Sequence, residues 1–369
     1  MFLKKIEQNG KKLLLLVLSL FVKSEELKRE DVELDQVGKI LIVRQDDRIG
    51  NLILTTPLLS AIRKHFPKAE IWYVASKTFH TFFSKSSLVD EILVAKKRQY
   101  IFHPLSLVLF IRKIRKQKFD LAFDASDENN FSLNNSFLAY LSGARYKIGH
   151  KKAQSHLFLN LEVPSSPASR HASEMHVDLL RYLVGDFAAD GLRIEVQPDK
   201  RAVIEKYLRE QGIETDDFLV GVHIGGRGEK RWPVGNYQKL ADWITDSFDA
   251  KLIFIWGPEE KKVIRQVRAT DKRQVVSQMF DLPTLSALIG RCNLFVSPDT
   301  GAMHLSVAVG TPTLALFIDS DPIKFGPQGK THRIIEATAG TLSVETVEHV
   351  FREMIETQPP VKEKHRIKC

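Results

Sequence analysis

The stretch Val296–Leu316, VSPDTGAMHLSVAVGTPTLAL, decides how the chain is read. Leu294-Phe295-Val296, which leads into it, is a short apolar run of the kind found in buried parallel strands. Pro298-Asp299-Thr300-Gly301 ends that run and opens a helix whose small residues can pack closely on a sheet, and Thr313–Phe317 is the next strand. Strand, tight turn and helix start leave free backbone N–H groups and the positive end of a helix dipole beyond the carboxyl edge of the sheet, where a diphosphate is readily held. Asp299 is out of place beside phosphate. It either caps the helix or accepts hydrogen bonds from the hydroxyls of a sugar joined to the phosphate.

Outward from this stretch the same alternation recurs on both sides. Toward the N-terminus lie a helix Asp199–Gln211, the strand Phe218–His223, the turn Gly225-Gly226-Arg227-Gly228, the segment Lys230-Arg231-Trp232-Pro233, a helix Tyr237–Phe248, and the strand Leu252–Trp256 running into Gly257-Pro258-Glu259-Glu260. A helix Val344–Glu356 closes the block. An earlier block begins with the strand Lys39–Arg44 (KILIVR), a polar turn Gln45–Ile49, Gly50-Asn51 and the helical run Leu52–His65. Strands Ile71–Ala75, Glu91–Val94, Asp120–Asp124 and Tyr146–Gly149 follow, with helices Leu105–Lys118, Phe131–Leu141 and Glu174–Val184, and Lys151–Ser169 reads as a long loop. Strands alternating with helices predict an α/β protein with parallel sheets covered on both faces. The expected division is an N-terminal helix and linker over 1–36, Rossmann-like domains over 37–198 and 199–345, and a C-terminal helix with a basic tail over 346–369.

A chain of 369 residues with net charge +9 and pI near 9.3 favours polyanionic surroundings: nucleic acid, an anionic membrane or phosphorylated substrates. Nucleic acid is disfavoured, because no basic-aromatic recognition module is present and the glycines fall at strand ends. Cys292 and Cys369 are far apart, without metal-ligand spacing, which fits a reducing cytoplasm. His156, His171 and His176 lack carboxylates in register, so a metal site is not expected there. Leu13–Val22 (LLLLVLSLFV), flanked by Lys11, Lys12 and Lys23, is well short of the ~20 residues of a spanning helix, and no small-residue cleavage site follows. A peripheral anchor lying in the membrane interface is expected, the alternative being a helix docked on the protein's own surface. Ser24–Gln36 reads as a solvated linker.

Ligands of parallel sheets bind beyond the carboxyl ends of the strands, so His223–Lys230, Gly257–Glu260 and Ser297–His304 are expected to converge. Glycine N–H donors from Gly225 onward, Lys230, Arg227 or Arg231, a carboxylate from Glu259 or Glu260, and the helix start at Thr300-Gly301 together describe a site for a nucleoside diphosphate. His304 either binds there or satisfies a neighbouring carbonyl. Trp232 is expected in the core behind the turn.

The segments ILIVRQDDRIGNLILTTPLLSAIRKHFP, HIGGRGEKRWPVGNYQKLADWI, FIWGPEE, LSALIGRCNLFVSPDTGAMHLSVAVGTPTLALF and DPIKFGP resemble glycosyltransferase family 9, the lipopolysaccharide heptosyltransferases, across Lys39 to Pro327. The resemblance implies a GT-B fold, two facing Rossmann-like domains with a cleft between them. It also implies inverting transfer from a nucleotide-sugar, usually ADP-heptose, to a hydroxyl of the lipopolysaccharide inner core, with no metal or other cofactor, at the cytoplasmic face of the inner membrane. By position, Lys230 would neutralise the diphosphate, Glu259 or Glu260 would hold the ribose, Thr300 and Gly301 would offer backbone donors, Asp299 would touch the donor sugar and His304 would bind as well; Gly225 and Arg227 are expected with the donor from the residues themselves. Arg48 and Gly50 would lie with the acceptor.

One departure matters. Where the family shows a Gly-Asp pair whose carboxylate serves as general base, this chain has Gly50-Asn51, and an amide cannot take a proton near neutral pH. Asp46 and Asp47 on the same turn either substitute or are solvated turn residues. Asp319-Ser320-Asp321 spells a metal-binding pattern but is read as coincidence, since lysine supplies the charge. The basic runs Arg112–Lys118 and Lys362–Lys368 are expected to attract a phosphorylated glycolipid acceptor or the membrane that holds it, the alternative being solvated faces. The alternative function is a catalytically weak nucleotide-sugar-binding homologue acting as a partner or regulator. A nicotinamide dehydrogenase fails because the first turn lacks G-x-G-x-x-G.

Overall fold

A computed structural model describes residues 15, 19–20, 22, 24–46, 48–76, 80, 82–83, 86–166 and 169–357. Asp47, the tail Lys362–Lys368, Lys11, Lys12, Lys23 and most of the Leu13–Val22 run lie outside the described residues. Among those described, no helix is long and apolar enough to cross a membrane.

The first block holds β1 (Lys39–Val43), α1 (Ile49–Ile53), α2 (Thr56–His65), β2 (Glu70–Ala75), β3 (Glu91–Val94), α3 (Lys97–Phe102), α4 (Pro104–Lys116), β4 (Leu121–Asp124), α5 (Leu133–Leu141), β5 (Tyr146–His150), β6 (Leu161–Val163) and α6 (Ala172–Val184). The second holds α7 (Pro198–Glu210), β7 (Phe218–His223), α8 (Val234–Ser247), β8 (Ala250–Ile255), β9 (Gln274–Val276), α9 (Leu282–Arg291), β10 (Leu294–Pro298), α10 (Gly301–Ala308), β11 (Thr313–Ile318), α11 (Pro322–Phe325), β12 (Arg333–Ala337) and α12 (Val344–Thr357). They build two six-stranded sheets, ordered β3-β2-β1-β4-β5-β6 and β12-β11-β10-β7-β8-β9. All pairings are parallel. The α/β class with two Rossmann-like sheets is therefore as expected.

Helices cover the central strands on both faces, so these strands read as continuous apolar runs without alternation. Every residue of β7, β10 and β11 is buried. Three strands were not legible: β6, β9 and β12 lie at or near the sheet edges, and two of them are three residues long, too short for any period to show. β6 replaces part of the expected Lys151–Ser169 loop. Trp232 fills the core as expected, its Nε1 donating to the Leu342 carbonyl at 2.9 Å and its ring set edge-on to Tyr237.

Ser24–Gln36 is not a free linker. Leu27 N–H donates to the Asn160 carbonyl at 2.8 Å, Arg29 Nε to the Leu183 carbonyl, and Glu33 pairs with Arg145 at 2.6 Å, so the segment is strapped to the first block. Arg29 and Glu33, read as solvated, are among the residues that tie it down.

Among the described residues the chain divides into two compact units, one drawn from Met1–Asp47, Leu58–Ala168 and Ser173–Ala189, the other from Arg48–Pro57, Ser169–Ala172 and Asp190–Cys369. Residues 190–197 fall in the second unit because Ile194 N–H donates to the Ala308 carbonyl at the end of α10. α1, which follows β1 in the chain, also belongs there. It packs on the start of α10 so closely that a Cβ on Gly301 would stand 2.1 Å from Ile49 Cγ2, and one on Gly50 would stand 2.8 Å from His304 Cδ2.

Gly301→Ala therefore forces α1 and α10 apart, at a cost of about 1–3 kcal/mol in stability. Chemical denaturation measures it, and an unchanged midpoint contradicts the close approach.

Candidate active site

The order of the second sheet reverses between β7 and β10, and at such a switch point the loops beyond the strands part to leave a crevice. The loops after β10, β7 and β8 leave adjacent parallel strands, so the three expected segments do come together. Side chains tie them to one another. Across the first junction, His223 at the end of β7 faces Thr300 Oγ1 at 3.3 Å and Ser297 Oγ at 3.5 Å through Nδ1. Across the second, Arg227 Nε donates to Glu259 Oε2 at 2.8 Å, with a second bond between the same two side chains.

Gly225 lies directly beneath the His223 ring, where a Cβ would stand 2.2 Å from Cε1, so only glycine lets the turn close over that imidazole. Lys230 ends a short 3-10 turn, is exposed, and makes no ion pair among the described residues. Its charge reaches Asp299. Burial raises the Asp299 carboxyl above its ordinary value, while the Ser320 hydroxyl and the Lys230 ammonium draw it back down and Asp321 opposes them.

The two glutamates divide their work. Glu259 is exposed and the Arg227 guanidinium holds it below the usual carboxylate range, with smaller contributions from Arg231 and Arg48. Glu260 is buried and raised by desolvation, and its Oε2 accepts from the Gly257 amide at 3.0 Å. Glu260 thus holds its own loop, and Glu259 is the carboxylate presented outward. Asp299 is not the cap of α10: that position is Thr300, whose side chain makes no capping bond because it faces His223 instead.

His304 is buried one turn into α10, against Gly50 and edge-on to Phe325. Arg48 and Gly50, expected with the acceptor, group by contact with the second unit, and Asn51 sits with them in α1. In the first unit Asp46 pairs at 3.5 Å with Arg44, a guanidinium only 5% exposed that also faces His176 Nε2 and bonds the Ala125 carbonyl. Asp47 lies outside the described residues.

Asp319 and Asp321 are already engaged by backbone. Asp319 Oδ2 accepts from the Ala339 amide at 3.0 Å, and Asp321 Oδ1 accepts from both Ile323 and Lys324 amides, capping α11. Among the described residues no group of three His, Cys, Asp or Glu side chains could hold a metal ion.

Sequence reading did not single out Arg44, Asp124, Lys152, His223 or Ser297. In the first unit Asp124 ends β4 and accepts from Ser126 N–H at 3.0 Å and from Ser136 Oγ, while Lys152 Nζ donates to Ser126 Oγ at 2.8 Å. Burial lowers the Lys152 ammonium, against Asp124 and Asp127. The signal available was position: Arg44, Asp124 and His223 end or directly follow a strand and Ser297 is the last residue but one of β10, on the edge where parallel sheets bind ligands.

Burial is the main cause that pushes His223 down to about 4 and His304 to about 3, with Arg231 and His171 respectively adding to it. Both are neutral in the fold over a range where the unfolded chain, titrating near 6.5, has taken up a proton. Stability therefore falls as pH drops below about 6.5, by about 1.4 kcal/mol per unit for each histidine, until the folded values are reached. His223→Gln is expected to flatten the slope of unfolding free energy between pH 6 and 5 by about that amount, and an unaltered slope would show that the imidazole is not held neutral.

Residues 108–350 match the profile of glycosyltransferase family 9 (heptosyltransferase). The lipopolysaccharide core heptosyltransferase OpsX of Haemophilus influenzae is 21% identical over 308 residues, 81% of this chain and 85% of that protein. The crystal structure of a family 9 glycosyl transferase from Veillonella parvula superposes with a TM-score of 0.78 at 25% identity, covering 89% of this chain and 99% of that one. The Escherichia coli heptosyltransferase WaaC with ADP gives 0.68 at 20% identity, covering 86% and 99%. With the switch-point crevice and its strand-end residues in place, a match across well over half its length makes the chain a member of glycosyltransferase family 9, and a glycosyltransferase.

Proposed function

We propose that the chain transfers a heptose, or a closely related sugar, from an ADP-linked donor to a hydroxyl of a membrane-borne lipopolysaccharide core, with inversion and without a metal ion. The observation that carries this reading is the grouping of Lys230, Asp299 and the start of α10 at the β7/β10 crevice, within a family whose relatives include a lipopolysaccharide core heptosyltransferase and a heptosyltransferase with ADP. In the first turn of α10 the Met303 amide donates to the Thr300 carbonyl, and the Gly301 and Ala302 amides, which helix geometry leaves over, donate to anionic oxygens. Lys230 places a full positive charge beside them. Together they stabilise the departing diphosphate, the largest contribution to rate that such a crevice offers. Glu259, exposed and exchangeable from Arg227, accepts from the ribose hydroxyls. Asp299 accepts from the donor sugar.

The acceptor hydroxyl attacks the anomeric carbon from the face opposite the diphosphate, the bond from that carbon to the diphosphate oxygen breaks, and the hydroxyl proton passes to solvent water or to a carboxylate. Asn51 orients that hydroxyl without taking the proton. Asp46 is held by the Arg44 guanidinium, so a proton delivered there competes with an ion pair. Asn51 therefore also favours a second reading, in which the donor is bound and turned over weakly or not at all.

Lys230→Ala is expected to weaken ADP binding about 10- to 100-fold, the worth of a charged hydrogen-bond donor, while leaving adenosine binding unchanged. Ligand-induced melting shifts measure both, and equal losses for both ligands remove the assigned role.

Wild type is expected to release ADP from an ADP-heptose donor in the presence of core acceptor, and Asn51→Asp to speed that release about 100-fold or more. A wild type that is silent with every acceptor, beside an active Asp variant, establishes the binding-only reading.

A further inference from the structure

α4 is apolar on opposite sides. Leu107, Phe110, Ile111 and Ile114, spaced three and four apart, form the inward stripe: Ile114 is fully buried, and Phe110, its ring 5.5 Å from that of Tyr100, packs on the core of the first sheet. The outward stripe of a helix on a water-facing surface is normally polar. Here Leu105 is 69% exposed, Val108 45%, Leu109 55%, and Phe102 at the end of α3 76%. One turn further the same side carries Arg112, Lys113, Arg115 and Lys116, all exposed. From Ile92 to Phe119 the chain has eight Lys and Arg and no Asp or Glu.

Single exposed apolar residues need no explanation, but four within eight positions form a patch. We infer that the outer side of α4, with Phe102, docks on an anionic phospholipid surface. Leucine, valine and phenylalanine enter the boundary between headgroups and acyl chains, and the following turn of cations meets the phosphates. Charge selects this occupant. A second copy of the chain would bring the same cations face to face in a two-fold pairing, with no carboxylate in the segment to offset them. The inference places membrane contact on a folded surface of the first unit, independently of the Leu13–Val22 run and of the transferase reading.

The test is sedimentation of the full chain with vesicles of phosphatidylcholine alone or mixed with phosphatidylglycerol. Binding is expected on the mixed vesicles only, weakening with salt. Leu105→Ser with Leu109→Ser is expected to lower that affinity about tenfold or more, with the melting temperature and the ADP-induced shift unchanged. Lys113→Ser with Lys116→Ser is expected to lower it about tenfold and to reduce the salt dependence. Three results overturn the inference: vesicle binding untouched by the leucine pair, equal binding to both vesicle types, or a wild-type dimer that the leucine pair dissolves into monomers. None of them bears on donor binding, which the ADP shift reports separately.

Discussion

The second unit depends on the absence of side chains where α1 meets α10. Gly301 and Gly50 face each other with Ile49 and His304 filling the space that Cβ atoms would take. The approach lets α10, buried along nearly its whole length, pack on β11 through Met303 and Val307 while its first turn stays against α1. A helix that is apolar all round has no water-facing side to orient it, so its neighbours must do so. The consequence is chemical. The residue at position 51, where a base would stand, is carried by the same unit as the helix start that would receive a diphosphate.

The charges around that helix start fall into two kinds. Some are spent. Glu260 holds the Gly257 amide, Asp321 caps α11, and Asp319 holds the Ala339 amide. Others are only lightly committed. The Arg227–Glu259 pair is exposed on both sides, and such a pair is worth about 0–1 kcal/mol, so either partner exchanges readily for a ligand. Among the described residues Lys230 has no such pair to give up. What looked in the sequence like two interchangeable glutamates is resolved by burial into one structural and one available carboxylate.

Much of this was legible because buried parallel strands announce themselves: KILIVR, FLVGVH and LFVSP each hold an unbroken run without a charged or polar side chain, and the glycine, proline and acidic residues that follow them mark strand ends. The strands lost were β6, β9 and β12, whose positions at or near the sheet edges demand no continuous apolar run. The convergence of three loops followed from strand order alone. What could not be read was contact at a distance. Nothing local says that Glu33 meets Arg145, that α1 leaves the strand it follows to join α10, or that Arg44 clamps Asp46. Such pairings depend on which residues the fold brings within a few ångströms, and charged residues in a run look solvated until a partner is found.

The two buried histidines beside the α10 start bear on what kind of charge acts there. An imidazolium at either position would add a full cation to the positive end of the helix. Burial prevents it, holding His223 and His304 neutral well below physiological pH. His223 then serves as a polar but uncharged neighbour to Thr300 and Ser297, and its ring closes the turn over Gly225. Positive charge at the crevice is thereby left to backbone dipoles, Lys230 and Arg227 rather than to imidazoles. Electrostatic attraction for an anion at this edge of the sheet should consequently vary little between pH 6 and 8, whereas a crevice built on titrating histidines would lose much of it across the same interval.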